Sequence, residues 1–414
     1  MSTLVIGGGA SGAMCAVLCA RGGERVTLLE KNEKTGKKLF ITGKGRCNLT
    51  ADYAPEEFLD GVVHGNKFLR TAVFSFTPED TKDFFRAEGV ELVTERGNRV
   101  FPASGKSSDI TRALDRALQK AGVVVHTDCE VVRVGKTAEG FRVNTADGGE
   151  FSAARLVIAT GGKSYPATGS TGDGYRFAES LGHSVVKPVP SLAGLLTKES
   201  VKELEGLSLK NVRLGAFTPD GKEIESFFGE LLFTARGISG PVALSLSAHL
   251  NRVSGATLSL DLKPALSDEK LDARVVRDFA ERRNAELKTV LRALLPARLN
   301  EYVLKAAGLN PEKRVNAVTR EERALLVHAV KNLHFSCSGV APFTEAVVTS
   351  GGVSLKELTP RCESRLTPGL YFIGEVIDAD AYTGGYNLQI AFSTAAACAA
   401  DILKKRASDP VDAH

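Results

Sequence analysis

Two stretches of this chain carry residue types and spacings suited to holding a nucleotide. Near the start, Gly7-Gly8-Gly9-Ala10-Ser11-Gly12 fits the pattern G-x-G-x-x-G. The first glycine permits a tight turn, the second lets the backbone approach a pyrophosphate, and the third lets helix and strand pack closely. Amide N–H groups and the helix dipole at such a turn favour the negative charge of phosphate. Glu30 follows Gly12 by eighteen residues and ends a second apolar run. A carboxylate there accepts hydrogen bonds from both ribose hydroxyls. The glycines alone are a weak signal, and a plain turn is the bland alternative. Placed between a strand and a helix and joined by Glu30, they are a strong one.

This pattern does not choose between NAD and FAD. Two later features favour FAD. Gly374-Glu375 follows the apolar run Leu370-Tyr371-Phe372-Ile373, where an acid can hold a ribityl chain. Thr383-Gly384-Gly385-Tyr386-Asn387-Leu388-Gln389 then opens a helix with Asn387 as a candidate cap. The start of that helix offers positive potential to the region of a reduced flavin that gathers negative charge.

Other residues could do chemistry near such a ring. The glycine-broken loop Thr42–Asn48 carries Arg46, which could stabilise reduced flavin or an anionic substrate, with a phosphate or structural ion pair as the alternative, and Cys47, whose thiol the arginine could activate, with a small packed thiol as the bland reading. Asn48 could bond the ring or the ribityl chain, and local loop bonding is the equal alternative. Tyr382 and Tyr386 flank the double glycine, and either could donate a proton; core or lid packing is the bland reading. Tyr165 could border the ring, and Arg236 could bind an acidic substrate or the NAD(P)H phosphate. His334 is the histidine singled out as a candidate acid. Asp378 and Asp380 could form a carboxylate pair, with capping as the alternative. Asp173 is expected to cap a helix. Cys15 and Cys19 lie four apart, which fits a tight helix–sheet contact better than a metal.

These groups need a scaffold of alternating strands and helices. Thr3–Ile6, Ala10–Ala20 and Arg25–Leu29 read as a strand–helix–strand unit. A helix is expected near 78–89, a hairpin at 90–101, and a second helix with Ile110, Ala113, Leu114, Ala117, Leu118 and Ala121 on one face, started by Asp109. Strands follow from Val123 to Phe151, and Leu156–Ala159 is a buried strand running into Thr160-Gly161-Gly162. Pro188 and Pro190 mark a change. Residues 191–262 look strand-rich and 268–331 helical, with Leu287, Val290, Leu291 and Leu294 in one stripe before Pro296.

With 414 residues, about two or three domains are expected. The formal charge of +4 is too small to imply nucleic acid or an anionic membrane by itself, so no nucleic-acid partner is expected from it. The helical stretch carries fourteen Lys/Arg against ten Asp/Glu. A solvated, ion-paired face is the first reading and a basic docking patch the second. Seven scattered cysteines without a CxxC argue against disulfides and zinc, and no metal site is expected. No apolar stretch reaches the ~18 residues of a spanning helix. The longest candidate, 238–250, is broken by Gly240 and Pro241. With no leader before Thr3, a reducing cytoplasm is the expected home.

The segments Gly7–Gly12, Thr42-Gly43-Lys44-Gly45-Arg46-Cys47-Asn48, Ala159–Gly162, Thr171-Gly172-Asp173-Gly174 and Gly374–Gln389 resemble a bacterial family of NAD(P)/FAD-dependent oxidoreductases. It includes aminoacetone-oxidase-like flavoproteins and reductases of 3-oxo bile-acid double bonds. The resemblance covers nearly the whole chain. It implies an α/β, glutathione-reductase-like Rossmann FAD domain interrupted by a β-barrel-like insert and a helical insert. The expected division is 1–190 and 335–414 for the cofactor domain, 191–265 for the β-rich insert and 266–334 for the helical one. The resemblance further implies that Val131 or Val132 offers backbone contacts to the adenine. Gly229–Pro241 matches a second motif of the family, in which His usually follows the threonine; this chain has Ala235 there, so a mechanism needing that imidazole lacks it.

The resulting cofactor set is Gly7, Gly9, Ala10, Ser11, Gly12, Glu30, Lys31, Thr42, Gly43, Arg46, Cys47, Asn48, Val131, Val132, Thr160, Gly161, Gly374, Glu375, Gly385, Asn387, Leu388 and Gln389. The catalytic candidates are Arg46, Cys47, Tyr382 and Tyr386. The expected activity is hydride transfer through non-covalent FAD, with NAD(P)H as a transient donor and a small organic molecule as substrate. The alternatives are an amine oxidase using oxygen, or a flavoprotein that binds RNA or a protein through the basic helical insert.

Overall fold

The first apolar run forms the strand Ser2–Ile6, the central member of a five-stranded parallel sheet. In this computed structural model, which describes residues 2–408, its neighbours are Arg25–Leu29 on one side and Arg155–Ile158 on the other. Val124–His126 and Leu370–Phe372 form the edges. Val5, Leu28, Val157 and Tyr371 face one hydrophobic core, and Leu4, Ile6, Leu29, Leu156, Ile158, Leu370 and Phe372 face another. A sheet covered on both faces needs continuous apolar strands rather than alternating ones, which is what the sequence supplies.

The first helix, Ala10–Arg21, and the last, Tyr386–Ser408, pack in the same core through small residues, among them Ala13, Ala16, Ala395 and Ala399. Cys15 Sγ lies 3.8 Å from Cys398 Sγ and 4.0 Å from Cys19 Sγ in this layer, all three fully buried. They are packing thiols. The helix Ser107–Lys120 starts two residues before Asp109, which accepts from the Ser104 hydroxyl at 2.6 Å instead of capping.

The chain divides into two compact units. One holds the residues up to Pro190 and those from Phe343 on; the other is Ser191–Pro342. In the second unit, Leu195–Thr197, Gly237–Ser239, Glu223–Thr234, Ser208–Phe217, Thr257–Asp261 and Leu333–Val340 close into an antiparallel barrel. Leu214, Leu258 and Phe335 of the barrel share one core with Leu271, Leu291, Leu299 and Leu326 of the helices. The barrel and the helical stretch therefore share one core within this unit. Because Leu333–Val340 is a barrel strand, the return to the first unit falls at Phe343 rather than at 335.

Within the second unit, Gly240-Pro241 does not break a helix but opens one, Pro241–Leu250, because proline at the first helical position gives up an N–H that would lack a partner anyway. The stripe 287–294 divides into Leu287–Val290 and the short turn Leu291–Ala293. Among the described residues no helix is long and apolar enough to cross a membrane.

Candidate cofactor site

The strands Ser2–Ile6, Arg155–Ile158 and Leu370–Phe372 are adjacent and parallel, so the loops leaving them open side by side at one edge of the sheet. Those loops are Gly7–Gly9, Ala159–Gly162 and Ile373–Glu375. Ligands of open parallel sheets bind at this edge.

Each glycine of the cradle has a separate reason. Gly7 has φ +104°. A Cβ on Gly12 would lie 1.9 Å from the Gly7 carbonyl oxygen, so nothing larger fits between helix and turn. A Cβ on Gly9 would meet nothing within 4 Å, so the backbone there is open to an incoming group. The first intrahelical bond runs from Ala13 N–H to Gly9 O at 3.0 Å, and the N–H groups of Ala10, Ser11 and Gly12 stand ahead of it. Glu30 is buried and accepts from Gly8 N–H at 2.7 Å and from Asn32 N–H at 2.8 Å. These bonds hold the carboxylate beside the turn. Lys31 pairs with Asp173 at 2.7 Å and donates to the Thr171 hydroxyl. Asp173 is thereby spent on Lys31 rather than on capping, and Gly172 precedes the helix Asp173–Ser180 without a side-chain cap. Burial works to raise the Asp173 carboxyl, and Lys31 and Thr171 outweigh it, holding it below its ordinary value.

At the C-terminal return, Glu375 sits in a network that sequence reasoning did not foresee. Lys38 Nζ lies 2.7 Å from Glu375 Oε2 and 2.6 Å from Ser164 Oγ. Glu375 Oε1 accepts from Ser164 Oγ at 2.9 Å and from Thr349 N–H at 2.8 Å. Burial pushes this carboxyl up, but Lys38 and the two donors outweigh it and keep it ionised below the usual range. Lys38 is one of two consecutive lysines, and no local pattern distinguishes it from Lys37.

In the last helix the first intrahelical bond is Gln389 N–H to Gly385 O, so the N–H groups of Tyr386, Asn387 and Leu388 stand ahead of it. The Asn387 side chain does not cap this helix. It clamps the incoming strand Asp380–Ala381, accepting from Ala381 N–H and donating to the Ala381 and Tyr382 carbonyls. Gln389 is fully buried and its amide is saturated. It accepts from the Thr50 and Thr81 hydroxyls at 2.7 and 2.8 Å and donates to Phe76 O and Ser393 Oγ. Its side chain braces the core and has no capacity left for a ligand. Gly385 is required by packing, since a Cβ would lie 2.3 Å from the Thr50 carbonyl carbon.

The loop 42–48 is a run of left-handed residues, with φ +57° at Gly43, Lys44 and Cys47 and +81° at Gly45. Thr42 donates its hydroxyl to Leu39 O. Arg46 is exposed, paired with Glu95 and stacked over Phe101 at 4.2 Å. Cys47 is fully buried and desolvation pushes its thiol up to about 12, the reverse of activation by the neighbouring arginine. Asn48 Oδ1 is buried with no hydrogen-bond partner, as is Thr160 Oγ1. The orphaned Asn48 oxygen and the open backbone at Gly9 fit these residues to a bound dinucleotide.

The remaining candidates scatter. Tyr386 packs on Phe58 at 5.0 Å and Tyr53 at 6.1 Å, and burial pushes its phenol up. Tyr382 donates its N–H to Gly61 O. Tyr165 takes a left-handed φ of +51° at the head of a short turn. Val131 is buried, and the exposed Val132 has its carbonyl taken by Arg176 at 2.7 Å. Arg236 is exposed in a hairpin turn and His334 is exposed on a barrel strand, both in the second unit. Asp380 faces not Asp378 but His64, 2.6 Å away, a histidine that sequence reasoning passed over. Among the described residues no three His, Cys, Asp or Glu side chains group to hold a metal.

Residues 1–401 match the model of the HI0933-like protein Rossmann domain. The chain belongs to this family. Its members are FAD-dependent oxidoreductases, and this protein is one. It is 33% identical over 414 residues to the ribosomal RNA dihydrouridine synthase of Escherichia coli, covering 98% of both chains. It is 30% identical over 401 residues to the 3-dehydro-bile acid delta(4,6)-reductase of Clostridium scindens, covering 94% of this chain and 96% of that one. A 3-ketosteroid-delta4-(5alpha)-dehydrogenase from Rhodococcus jostii shares the fold, with a TM-score of 0.52 at 16% identity over 96% of each chain.

Proposed function

We propose that this FAD enzyme takes a hydride from NAD(P)H and saturates a carbon–carbon double bond conjugated with a carbonyl group, and that the bond is C5=C6 of a uracil in ribosomal RNA. The observation that carries the reading is the chemistry common to relatives matched end to end. A dihydrouridine synthase and a delta(4,6)-reductase of a 3-oxo steroid both add two hydrogens across a bond that a carbonyl activates. The uracil reading is favoured by the higher identity of the RNA-acting relative. It is also favoured by three exposed arginines of the helical stretch. The backbone stretches bearing Arg282, Arg283 and Arg314 are brought together where Asn316 N–H bonds Arg283 O and where Glu286 and Arg314 form an antiparallel backbone bridge. Other basic residues of that stretch are spent on ion pairs, such as Arg323–Asp272 and Lys313–Glu322.

In this reading Gly7, Gly9, Ala10, Ser11 and Gly12 hold the diphosphate and Glu30 the adenosine ribose. Val131 or Val132 meets the adenine, with Lys31, Thr160 and Gly161 bordering the groove. Glu375 and Asn48 hold the ribityl chain or the ring, and the N–H groups of Tyr386, Asn387 and Leu388 face the ring's electron-rich end. Bound FAD supplies hydride transfer in two stages, from donor to ring and from ring to substrate. Lys38 keeps Glu375 ionised and oriented until the ligand's hydroxyls compete for it. The chain carries one dinucleotide cradle, so NAD(P)H visits and leaves. NAD(P)H and ribosomal RNA are both cytoplasmic, which is where we expect the protein to act.

A small enone is the second reading, favoured by the bile-acid reductase relative. The test is anaerobic mixing with NADPH or NADH, followed by ribosomal RNA or a 4-en-3-one steroid. Bleaching of the flavin by the nucleotide and its return with RNA, with dihydrouridine in the digested product, supports the uracil reading. Return with the steroid alone selects the second. Bleaching by amines and not by nucleotides overturns both. RNA binding should also weaken steeply with salt.

A further inference from the structure

Saturating a conjugated double bond takes one hydride at the β carbon and one proton at the α carbon. Under the function proposed above, the flavin brings the hydride with both electrons, and a donor must bring the proton. Three of the candidates that sequence singled out are poorly suited. Cys47 is sealed in the core, Tyr386 is packed among Tyr53 and Phe58, and Arg46 is held by Glu95. A different pair is built for the task. Val62–His64 zips antiparallel to Asp380–Ala381, with Asp380 opposite His64. His64 Nδ1 lies 2.6 Å from Asp380 Oδ1, and the Ser350 hydroxyl lies 3.5 Å from the same nitrogen. The Asp380 side chain is 1% exposed and that of His64 is 41% exposed. A buried carboxylate that holds Nδ1 fixes the tautomer and orientation of the ring and stabilises its charged form, while the ring remains reachable from solvent.

The pair is also tied to Glu375 and to the start of the last helix, the residues proposed above for the ribityl chain and the ring. Ser350 follows Thr349, whose N–H holds Glu375. Asp380 precedes Ala381, which Asn387 of the last helix clamps by both N–H and C=O. Tyr382 N–H bonds Gly61 O, so the segment bearing His64 is stitched to the run that leads into that helix.

We infer that His64 is the proton donor of the reaction and Asp380 its positioning residue. The Nε2–H bond breaks as a C–H bond forms at the α carbon, the carbonyl-stabilised electron pair becomes that bond, and the neutral imidazole recovers a proton from solvent. The inference rests on the reductase reading, and the experiment separates the two.

Holoenzyme reduced with dithionite is mixed anaerobically with 2-cyclohexenone, 4-androstene-3,17-dione or a uridine-containing ribosomal RNA fragment, and flavin reoxidation is followed. His64→Gln, which keeps FAD content, should slow reoxidation by the active probe about a hundredfold or more. Asp380→Asn should slow it less. In the oxidised holoenzyme, the imidazole Nδ1–H proton resonance of His64 should appear far downfield and be lost in Asp380→Asn, a readout that needs no turnover. Wild-type reoxidation rates in His64→Gln would overturn the role of His64 while leaving the reductase reading intact. A wild-type enzyme that none of the probes reoxidises would remove the reductase reading and His64's role with it.

Discussion

Ser11 and Gly374 meet across the site. A Cβ on Gly374 would lie 2.4 Å from Ser11 Oγ and 2.8 Å from Ser11 Cβ, so the turn at Gly374-Glu375 rests directly on the first turn of the helix Ala10–Arg21. Two segments far apart in the chain are thus in direct contact. Gly374 has φ +72°, and its N–H is fixed by the Thr394 hydroxyl at 3.1 Å.

The contact sets up a double-mutant cycle. Gly374→Ala should destabilise the protein by about 1–3 kcal/mol for the left-handed backbone alone, with the clash against Ser11 added. Adding Ser11→Gly removes the clashing atoms and should restore the clash part but not the backbone part. Urea unfolding of the four proteins measures the coupling. Strict additivity would mean that the two residues do not touch.

Gly9 and Gly12 should separate binding from folding. Gly9→Ala meets no protein atom, so the apoprotein should lose no more than about 1 kcal/mol, while FAD affinity falls sharply because the methyl occupies the approach to the diphosphate. Gly12→Ala should unfold the cradle itself and lower both. Apoprotein melting and FAD titration, run on each variant, distinguish the two effects.

The cysteines should be inert in the folded state. Burial pushes the thiols of Cys47 and Cys362 up to about 12 and that of Cys398 to about 11, against an ordinary value of ~8.5. All seven are buried and unbridged. Iodoacetamide at pH 8 should label none of them within minutes in native protein and all seven in urea. Cys47→Ala should retain flavin reduction by its donor. Rapid native labelling of Cys47, or loss of reduction in that variant with FAD still bound, would restore a chemical role to the thiol.

Glu375 predicts the sign of a pH effect. Its folded-state pKa is lowered, so its ionisation contributes stability that is fully present above the ordinary glutamate value of ~4.3 and is lost as pH falls through the lowered folded value. Glu375→Gln should therefore destabilise the protein at pH 7, and the gap to wild type should narrow on acidification toward and below pH ~4. Denaturant titrations across that range test it; a gap that widens on acidification has the wrong sign.

Some of the site was legible in the residues alone. A glycine turn flanked by an apolar run and a small-residue helix, with an acid at the end of the next strand, is a local pattern, and each piece lies within one strand–helix–strand unit. The same holds for Gly374-Glu375 ahead of its helix. The helix caps were harder. Asp109, Asp173 and Asn387 have the right type and place for capping, and each is drawn off by another partner: Ser104, Lys31 and the strand Asp380–Ala381. Gln389 reads as a polar residue at the mouth of a site and is in fact a core brace, because Thr50, Thr81, Phe76 and Ser393 come from distant stretches to saturate it.

What the sequence determined by itself was the glycine turn with Glu30 beside it and the class of fold, since both follow from short-range periodicity and from backbone shapes that only glycine takes easily. What the tertiary structure decided was which side chains share a neighbourhood. Lys38 with Glu375, His64 with Asp380 and Ser11 with Gly374 are each separated by more than three hundred residues of chain. No spacing rule connects such pairs. They meet because the parallel sheet sets its first and last strands on either side of Arg155–Ile158, with their C-terminal ends pointing the same way, and because the strand Asp380–Ala381 pairs with Val62–His64 before the final helix begins.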